Sequence, residues 1–135
     1  MAGSTNDNVP LSGVRVLMVE DDPLMAMALE DTLAEAGAIV LGPCRTLAEA
    51  LARTNADDFA VAVLDFSLGE DTASPVARRL ASRGVPFVLH TGKSSRDPSL
   101  TEWACPILQK PASPRALVSA VSAVLPRSRR LAAGR

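Results

Sequence analysis

The sequence predicts an α/β protein in which a parallel β-sheet lies between two layers of helices. Short apolar runs rich in Val, Ile and Leu alternate five times with segments of helical apolar spacing. The runs show little polar alternation, which is typical of parallel strands buried on both faces. Hydrophobic residues make up 47% of the 135 residues, which is enough for the core of one domain. We therefore expect β–α units joined by right-handed crossovers.

The strands and helices follow in chain order. The five expected strands are residues 14–19, 39–41, 60–64, 86–91 and 106–109. Four of the five expected helices begin at a capping signal, namely Asp22-Pro23, Thr46–Glu49, Ser74-Pro75 and Ser113-Pro114. The remaining helix, within residues 92–104, is expected to be shortened, because Ser, Asp and Pro in that segment disfavour a helix.

The same pattern divides the chain into one domain and two flanking segments. Residues 1–13 are polar and are expected to be a flexible leader, residues 14–125 form the domain, and residues 126–135 form a basic tail. No apolar run approaches the roughly 20 residues of a membrane span, and no export signal precedes the domain. We therefore expect a cytoplasmic protein whose two cysteines are free thiols. The net charge of −1 gives no reason to expect binding to nucleic acid or a membrane surface.

Chemically active side chains follow four of the five expected strands. In chain order they are Glu20 and Asp21, then Asp65, then Thr91, then Lys110. An unpaired carboxylate is costly inside a buried strand, so Asp65 should lie at the open end of the central strand. Because the carboxyl ends of parallel strands share one edge of the sheet, we expect these side chains to converge there.

The residue types at this edge indicate phosphoryl chemistry. Three carboxylates close together repel one another, and a hard divalent cation with oxygen ligands, for which we expect Mg²⁺, would neutralise them. A carboxylate beside a lysine and a hydroxyl group can attack phosphorus, with Lys110 and Thr91 stabilising the phosphoryl oxygens. The expected product is an aspartyl phosphate on Asp65. The repulsion should also destabilise the metal-free fold, so Asp21→Ala should raise its stability.

These motifs resemble the receiver domain of two-component response regulators. Glu20-Asp21, Asp65, Thr91-Gly92 and Lys110-Pro111 occur in the family's order, each at a strand end, and the resemblance covers residues 14–125. It implies a flavodoxin-like three-layer sandwich, with a parallel sheet of strand order 2-1-3-4-5 and five helices, the fourth shortened.

The resemblance also implies a role for each residue of the acidic cluster. Asp65 would be phosphorylated by a histidine kinase or a phosphotransfer protein. Asp21, Asp65 and the backbone carbonyl of Ser67 would bind Mg²⁺, with Glu20 acting through water.

The resemblance further implies which residues bind the phosphoryl group and which move when it is bound. Lys110 would contact the phosphoryl group, held by a cis Lys110–Pro111 bond, while Thr91 and Gly92 would move toward it. Ile107 stands where most members carry an aromatic switch residue, and Gly69 stands where most carry proline. His90, which alternates with Thr91 along its strand, is interpreted as a packing residue. Residues 86–92 are similar to a subgroup of alphaproteobacterial receivers with a Phe-Ala-Thr-Gly signature.

The function implied is a single-domain response regulator that signals through a downstream protein partner. We expect no output domain after residue 125, and such a protein would phosphorylate and dephosphorylate itself without turning over an external substrate. A degenerate receiver acting as a constitutive scaffold, or a phosphate sink, is an alternative, and the oligomeric state is left open. A phosphatase of the haloacid dehalogenase type would need an Asp-x-Asp motif after the first strand, which Glu20-Asp21-Asp22 does not provide.

Overall fold

The structure is a computed structural model and describes residues 9–56, 58–94 and 96–126. The strands are β1 Arg15–Val19, β2 Ile39–Cys44, β3 Val61–Leu64, β4 Ser67–Leu68, β5 Asp71–Thr72, β6 Phe87–Thr91 and β7 Ile107–Gln109. The helices are α1 Pro23–Glu35, α2 Leu47–Arg53, α3 Ser74–Ser82 and α4 Pro114–Val124. Five strands form a parallel sheet in the order β2-β1-β3-β6-β7. Without the short hairpin β4–β5, this is the expected order 2-1-3-4-5, which is confirmed.

The register of the sheet aligns the chemically active strand ends. Val19, the last residue of β1, lies beside Leu64, the last residue of β3, so Glu20 and Asp65 leave adjacent strands at the same level. Thr91 at the end of β6 lies beside Gln109 at the end of β7, so Lys110 follows directly. All four residues of β3 are buried, as expected for a central strand covered on both faces.

Two helices cover each face of the sheet. One buried apolar cluster joins α1 and α4 to the first face and includes Leu29, Leu33, Leu117 and Val121. The other joins α2 and α3 to the opposite face and includes Ala50, Val76 and Leu80. Burial of these apolar stripes holds the three layers together.

The expected caps are mostly present at the helix starts. Asp22 accepts the backbone N–H groups of Leu24 and Met25 and so begins α1. Thr46 accepts the N–H of Glu49, and Ser113 accepts the N–H of Ala116. The expected cap on α3 is wrong, because Ser74 is already the first helical residue and the preceding residue makes no side-chain cap bond.

Part of the expected leader belongs to the domain. Leu11 is fully buried in the cluster beneath α1, and its N–H donates to the carbonyl of Ala36 at 2.8 Å. The N–H of Gly13 donates to the carbonyl of Gly37. Leu11 therefore packs in the core and backbone bonds tie the end of the expected leader to the domain, although Pro10, Ser12 and Gly13 are exposed. Residues 1–8, and the basic tail beyond residue 126, lie outside the described residues.

The expected fourth helix is replaced by turns. In the described residues between 92 and 104 the backbone forms hydrogen-bonded turns and no helix. Pro98 and the hydrogen bonds that the backbone N–H and the hydroxyl of Ser99 donate to Asp97 Oδ1 favour turns there. Leu100 is nevertheless fully buried, and the ring of Trp103 packs edge-on against Phe87 with centroids 6.2 Å apart. The end of this segment is thus anchored to the core, whereas its beginning is polar.

Candidate functional site

The side chains predicted from the strand ends converge at one edge of the sheet. One carboxylate oxygen from each of Glu20, Asp21 and Asp65 lies within 4.8 Å of the others. The ammonium group of Lys110 lies 3.0 Å from both Glu20 Oε1 and Asp65 Oδ2. Adjacent parallel strands and their common register are sufficient to bring these four groups together.

Glu20 is the most deeply buried acid of the cluster. Its side chain is fully buried, and its Oε2 accepts the N–H of Asp22 at 3.1 Å and Lys110 at 3.2 Å. Its Oε1 is in charge contact with the same ammonium group, without the direction of a hydrogen bond. Burial, together with the neighbouring Asp65, outweighs these favourable contacts and raises the pKa of Glu20 to about 7. The acid is therefore ready to share or release a proton near neutral pH.

Asp21 is held from outside by the hairpin that follows β3. The N–H of Gly69 donates to Asp21 Oδ2 at 2.9 Å. Burial is the largest influence and opposes ionisation, but the Gly69 bond, the contact with Asp65 and the charge of Lys110 together outweigh it and lower the pKa of Asp21. Gly69 begins the two-residue turn between β4 and β5 with a φ of +61°, as in a type II′ hairpin turn. Proline could neither adopt this φ nor supply the N–H, which explains in this structure why glycine stands where most receivers have proline.

Asp65 lies close to the other two acids of the cluster and contacts Lys110. It is 4% exposed and follows directly on β3, with its N–H donated to the carbonyl of Val19. Its Oδ1 accepts the N–H of Ser67 at 3.2 Å, and its Oδ2 accepts Lys110 at 3.0 Å. Burial opposes the charged ammonium, but the bonds to the two carboxylates outweigh it and raise the pKa of Lys110. The lysine is therefore positively charged at neutral pH.

Thr91 is fully buried at the end of β6. Its hydroxyl oxygen accepts the backbone N–H of Lys93 at 3.1 Å, which leaves the hydroxyl proton available for another acceptor. Its carbonyl accepts the N–H of Lys110 at 2.7 Å. Thr91 thus contributes twice to the site, through its hydroxyl group and through the backbone hydrogen bond that its carbonyl accepts from Lys110.

These groups line an open polar cleft of about 550 Å³. Its lining consists of Asp21, Asp22, Asp65, Ser67, Gly69, Thr91, Gly92, Lys93 and Lys110. Asp22 also acts as the cap of α1, as the sequence indicates. The donor set fits a hard divalent cation, because three carboxylates converge on one point and Lys110 alone cannot neutralise them.

The remaining expected site residues lie around this cleft. A Cβ added at Gly92 would meet nothing within 4 Å, so that side of the backbone faces open space. The Lys110–Pro111 bond is cis, the isomer that the resemblance implies, and Gly42–Pro43 is a second cis bond that sequence reasoning missed. Ile107 lies in β7 and packs in the cluster beneath α3, so its side chain is not part of the cleft.

Sequence reasoning missed the polar contact of His90. The side chain is 1% exposed, and its Nε2 accepts the backbone N–H of Ala112 at 3.4 Å. Burial, with a contribution from the charge of Lys110, lowers the pKa of His90 to about 4. The only signal in the sequence was a single histidine in an otherwise apolar strand.

Neither cysteine thiol lines the cleft, although the carbonyl of Cys44 accepts the N–H of Glu20 at 2.9 Å. Cys44 and Cys105 are free thiols, as expected, and burial raises the pKa of Cys105 to about 11. None of the helices in the described part of the chain has both the length and the apolar character needed to cross a membrane.

Comparison with known proteins identifies the class to which this fold and site belong. Residues 16–122 match the family described as the response regulator receiver domain, and the chain is a member of that family. It therefore belongs to the receiver modules through which two-component systems pass phosphoryl signals.

Three relatives illustrate the similarity. The solution structure of SdrG from Sphingomonas melonis Fr1 shares 38% identity and a TM-score of 0.73, covering 83% of this chain and 96% of that one. The BeF3-activated conformation of SdrG from Pseudomonas melonis Fr1 shares 39% identity and a TM-score of 0.69, covering 85% and 98%. The sensor protein TorS of Escherichia coli is 33% identical over 88 residues, which is 64% of this chain and 9% of that protein.

Proposed function

We propose that this chain is a single-domain response regulator whose Asp65 accepts a phosphoryl group from a phosphohistidine on a histidine kinase or phosphotransfer protein. The observation that carries the proposal is the pairing of the buried Asp65 with Lys110 at 3.0 Å, in a cleft that Asp21 lines and Glu20 borders. An oxygen of Asp65 would attack phosphorus while the bond from phosphorus to the donor imidazole breaks, its electron pair remaining on the imidazole nitrogen. Lys110 would exchange its contact with Asp65 for one with the phosphoryl oxygens.

The acidic cluster would hold Mg²⁺ through Asp21, Asp65 and the backbone carbonyl of Ser67, with Glu20 acting through water. When bound, Mg²⁺ supplies positive charge beside the phosphoryl oxygens. The chain's own part is to deliver ionised ligands. Asp21 is ready for this because its pKa is lowered, whereas the buried Glu20 must first lose its proton.

The switch would begin at Thr91. Because its hydroxyl oxygen already accepts the N–H of Lys93, the hydroxyl proton can be donated to a phosphoryl oxygen. Moving Thr91 would carry Gly92 and Lys93 with it, and the open space around Gly92 permits this movement. Ile107 has no polar tip and a stiff branched side chain, so it cannot follow as a switching aromatic residue would.

The output would be an ordering of residues 92–104 that presents a surface to a downstream protein. Leu100 and Trp103 anchor the end of this segment, while the described residues at its polar beginning include the half-buried Lys93–Asp97 ion pair at 3.8 Å and short-range turn hydrogen bonds. A partly solvated ion pair contributes little to stability, so a small bias can shift the position of the segment.

Phosphorylation with a small donor tests the first part of the proposal. The protein is incubated with Mg²⁺ and acetyl phosphate, and its intact mass is measured. We expect one phosphoryl group on the wild type and none on Asp65→Asn, a near-isosteric control. Full labelling of that variant, or no labelling of the wild type, would contradict the assignment, and the second result would favour a degenerate receiver.

Hydrogen exchange with beryllofluoride, a phosphoryl mimic, tests the second part. The related SdrG from Pseudomonas melonis Fr1 has a BeF3-activated conformation in solution, which makes this mimic a suitable probe. If this chain signals through residues 92–104, saturating beryllofluoride should increase protection there. Unchanged protection in a protein that does accept phosphate would favour a phosphate sink instead.

A further inference from the structure

The segment that carries Lys110 is held at two points by neighbouring residues of β6. The N–H of Lys110 donates to the carbonyl of Thr91 at 2.7 Å, and the N–H of Ala112 donates to His90 Nε2 at 3.4 Å. The first bond continues the parallel ladder between β6 and β7. The second is made by a side chain and fixes the chain two residues beyond the lysine, after the strand has ended.

The ring of His90 buries a polar nitrogen with no hydrogen-bond partner at any described residue, which an apolar packing residue would not do. The side chain is 1% exposed, and Nδ1 has no hydrogen-bond partner among the described residues. Since Nε2 accepts a hydrogen bond, the proton of the neutral ring lies on Nδ1, where it is buried and unpaired. An unpaired buried donor is unfavourable, and a phenylalanine of similar size would not carry it. Within the described part of the chain, the hydrogen bond of this ring is the one to Ala112.

The lowered pKa of His90 is consistent with this geometry. Burial and the nearby charge of Lys110 keep the ring neutral at physiological pH. Only the neutral ring can accept the N–H of Ala112 through Nε2. The ammonium group of Lys110 is thus close enough to influence the ring, while the ring holds the backbone on the far side of Pro111.

We propose that His90 is a positioning residue, whose imidazole aims Lys110 at the phosphoryl group by holding the backbone of Ala112. This rests on the proposed acceptance of a phosphoryl group by Asp65. The lysine must leave its present contacts with Glu20 and Asp65 and meet a phosphoryl oxygen instead. A backbone fixed on both sides of Lys110 sets the point from which the lysine side chain reaches the phosphoryl group. Small displacements of the segment should therefore slow the transfer.

Three substitutions separate positioning from packing. His90→Phe keeps a planar ring of similar size without an acceptor. His90→Gln places an amide oxygen near the position of Nε2, whereas the shorter His90→Asn places its amide near the position of Nδ1 and does not reach Ala112. Gln and Asn are matched in chemistry and differ in reach, so their comparison remains valid even if the Phe variant fails to fold.

The main measurement is the initial rate of phosphorylation by acetyl phosphate at saturating Mg²⁺, with the Mg²⁺ Kd measured alongside. We expect the rate to fall about tenfold in the Asn and Phe variants and to recover in the Gln variant. The Mg²⁺ Kd should stay the same in all three, because Lys110 and not the metal ligands is displaced. Equal rates in all four proteins, or equal losses in Gln and Asn, would overturn the inference.

A spectroscopic measurement makes this result independent of phosphorylation. Nitrogen-15 shifts of the single histidine of the chain report which ring nitrogen carries the proton. We expect the Nδ1–H form, with slowed exchange of the Ala112 amide that becomes faster in the Asn variant. The Nε2–H form would refute the His90–Ala112 bond. If the wild type is not phosphorylated at all, the proposed function fails, while this measurement still decides whether the bond exists.

Discussion

Glu20→Gln should change the pH dependence of stability in a defined direction. Glu20 is fully buried, and burial is the main cause that raises its pKa from 4.5 to about 7. The folded state binds this proton more tightly than the unfolded chain. The contribution of Glu20 to the free energy of unfolding is therefore fully present below pH 4.5 and is lost as pH rises through 7. At about 1.4 kcal/mol for each unit of pKa, the loss amounts to about 3 kcal/mol.

A second buried group acts in the opposite direction. His90 has its pKa lowered from 6.5 to about 4, so the unfolded chain binds this proton more tightly than the folded state. Its contribution is fully present above pH 6.5 and is lost as pH falls through 4. The two contributions are of similar size and largely offset each other in the wild type. Removing either group should therefore reveal how the other makes the free energy of unfolding depend on pH.

Urea unfolding without Mg²⁺ between about pH 4.5 and 8 measures this. The stability of Glu20→Gln relative to the wild type should rise with pH by about 3 kcal/mol across that range. The change of this difference with pH is the quantity to compare, because the side-chain amide of the Glu20→Gln variant also alters the contact with Lys110 by an amount that does not depend on pH. Mg²⁺ should reduce the difference, since a bound cation favours the ionised Glu20 of the wild type. A difference between the two proteins that is constant with pH would refute the reasoning.

Other expectations concern the hairpin, the metal ligands and the segment after β6. Gly69→Pro introduces the residue that is common in the family. It should nevertheless destabilise the fold by about 2 kcal/mol more than Gly69→Ala in urea unfolding, because proline excludes the φ of +61° and removes the N–H that donates to Asp21. Asp21→Asn should lose the thermal stabilisation that Mg²⁺ gives the wild type, which is about 2.7 kcal/mol at a hundredfold excess over Kd. Leu100→Ala should cost about 2 to 5 kcal/mol in the same unfolding assay, and a smaller loss would mean that residues 92–104 are not anchored there.

The sequence was sufficient to predict the sheet and the convergence of the site. An apolar run that ends abruptly in a charged or hydroxyl residue marks both a buried strand and its open end, as with β3 and Asp65. The convergence then follows from parallel strands alone. Leu11 was missed because a single apolar residue in a polar segment carries no periodic signal, although the core buries it completely.

Contacts made by backbone groups could not be predicted in the same way. The bond from Gly69 to Asp21 depends on a hairpin of two-residue strands, too short to leave a pattern in the sequence. The expectation that Asp21→Ala would stabilise the metal-free fold stays a prediction. The contacts of Asp21 outweigh its burial and lower its pKa, whereas burial raises the pKa of Glu20, so the larger cost of the acidic cluster is expected at Glu20.

The two features that distinguish this site lie on opposite sides of Asp65. On the side of the proposed metal ligands, the N–H of Gly69 donates to Asp21, and on the side of the proposed phosphoryl contact, the N–H of Ala112 in the segment of Lys110 donates to His90. In both cases a backbone N–H group fixes a residue of the predicted chemistry, while the reacting side chains keep the pattern of the family. The rate of phosphorylation should therefore depend on these two supports, and each can be altered without removing a charge from the cleft. Because the proposed cation ligands include Asp21 and do not include Lys110, Gly69→Pro should weaken Mg²⁺ binding, whereas His90→Asn should leave it unchanged.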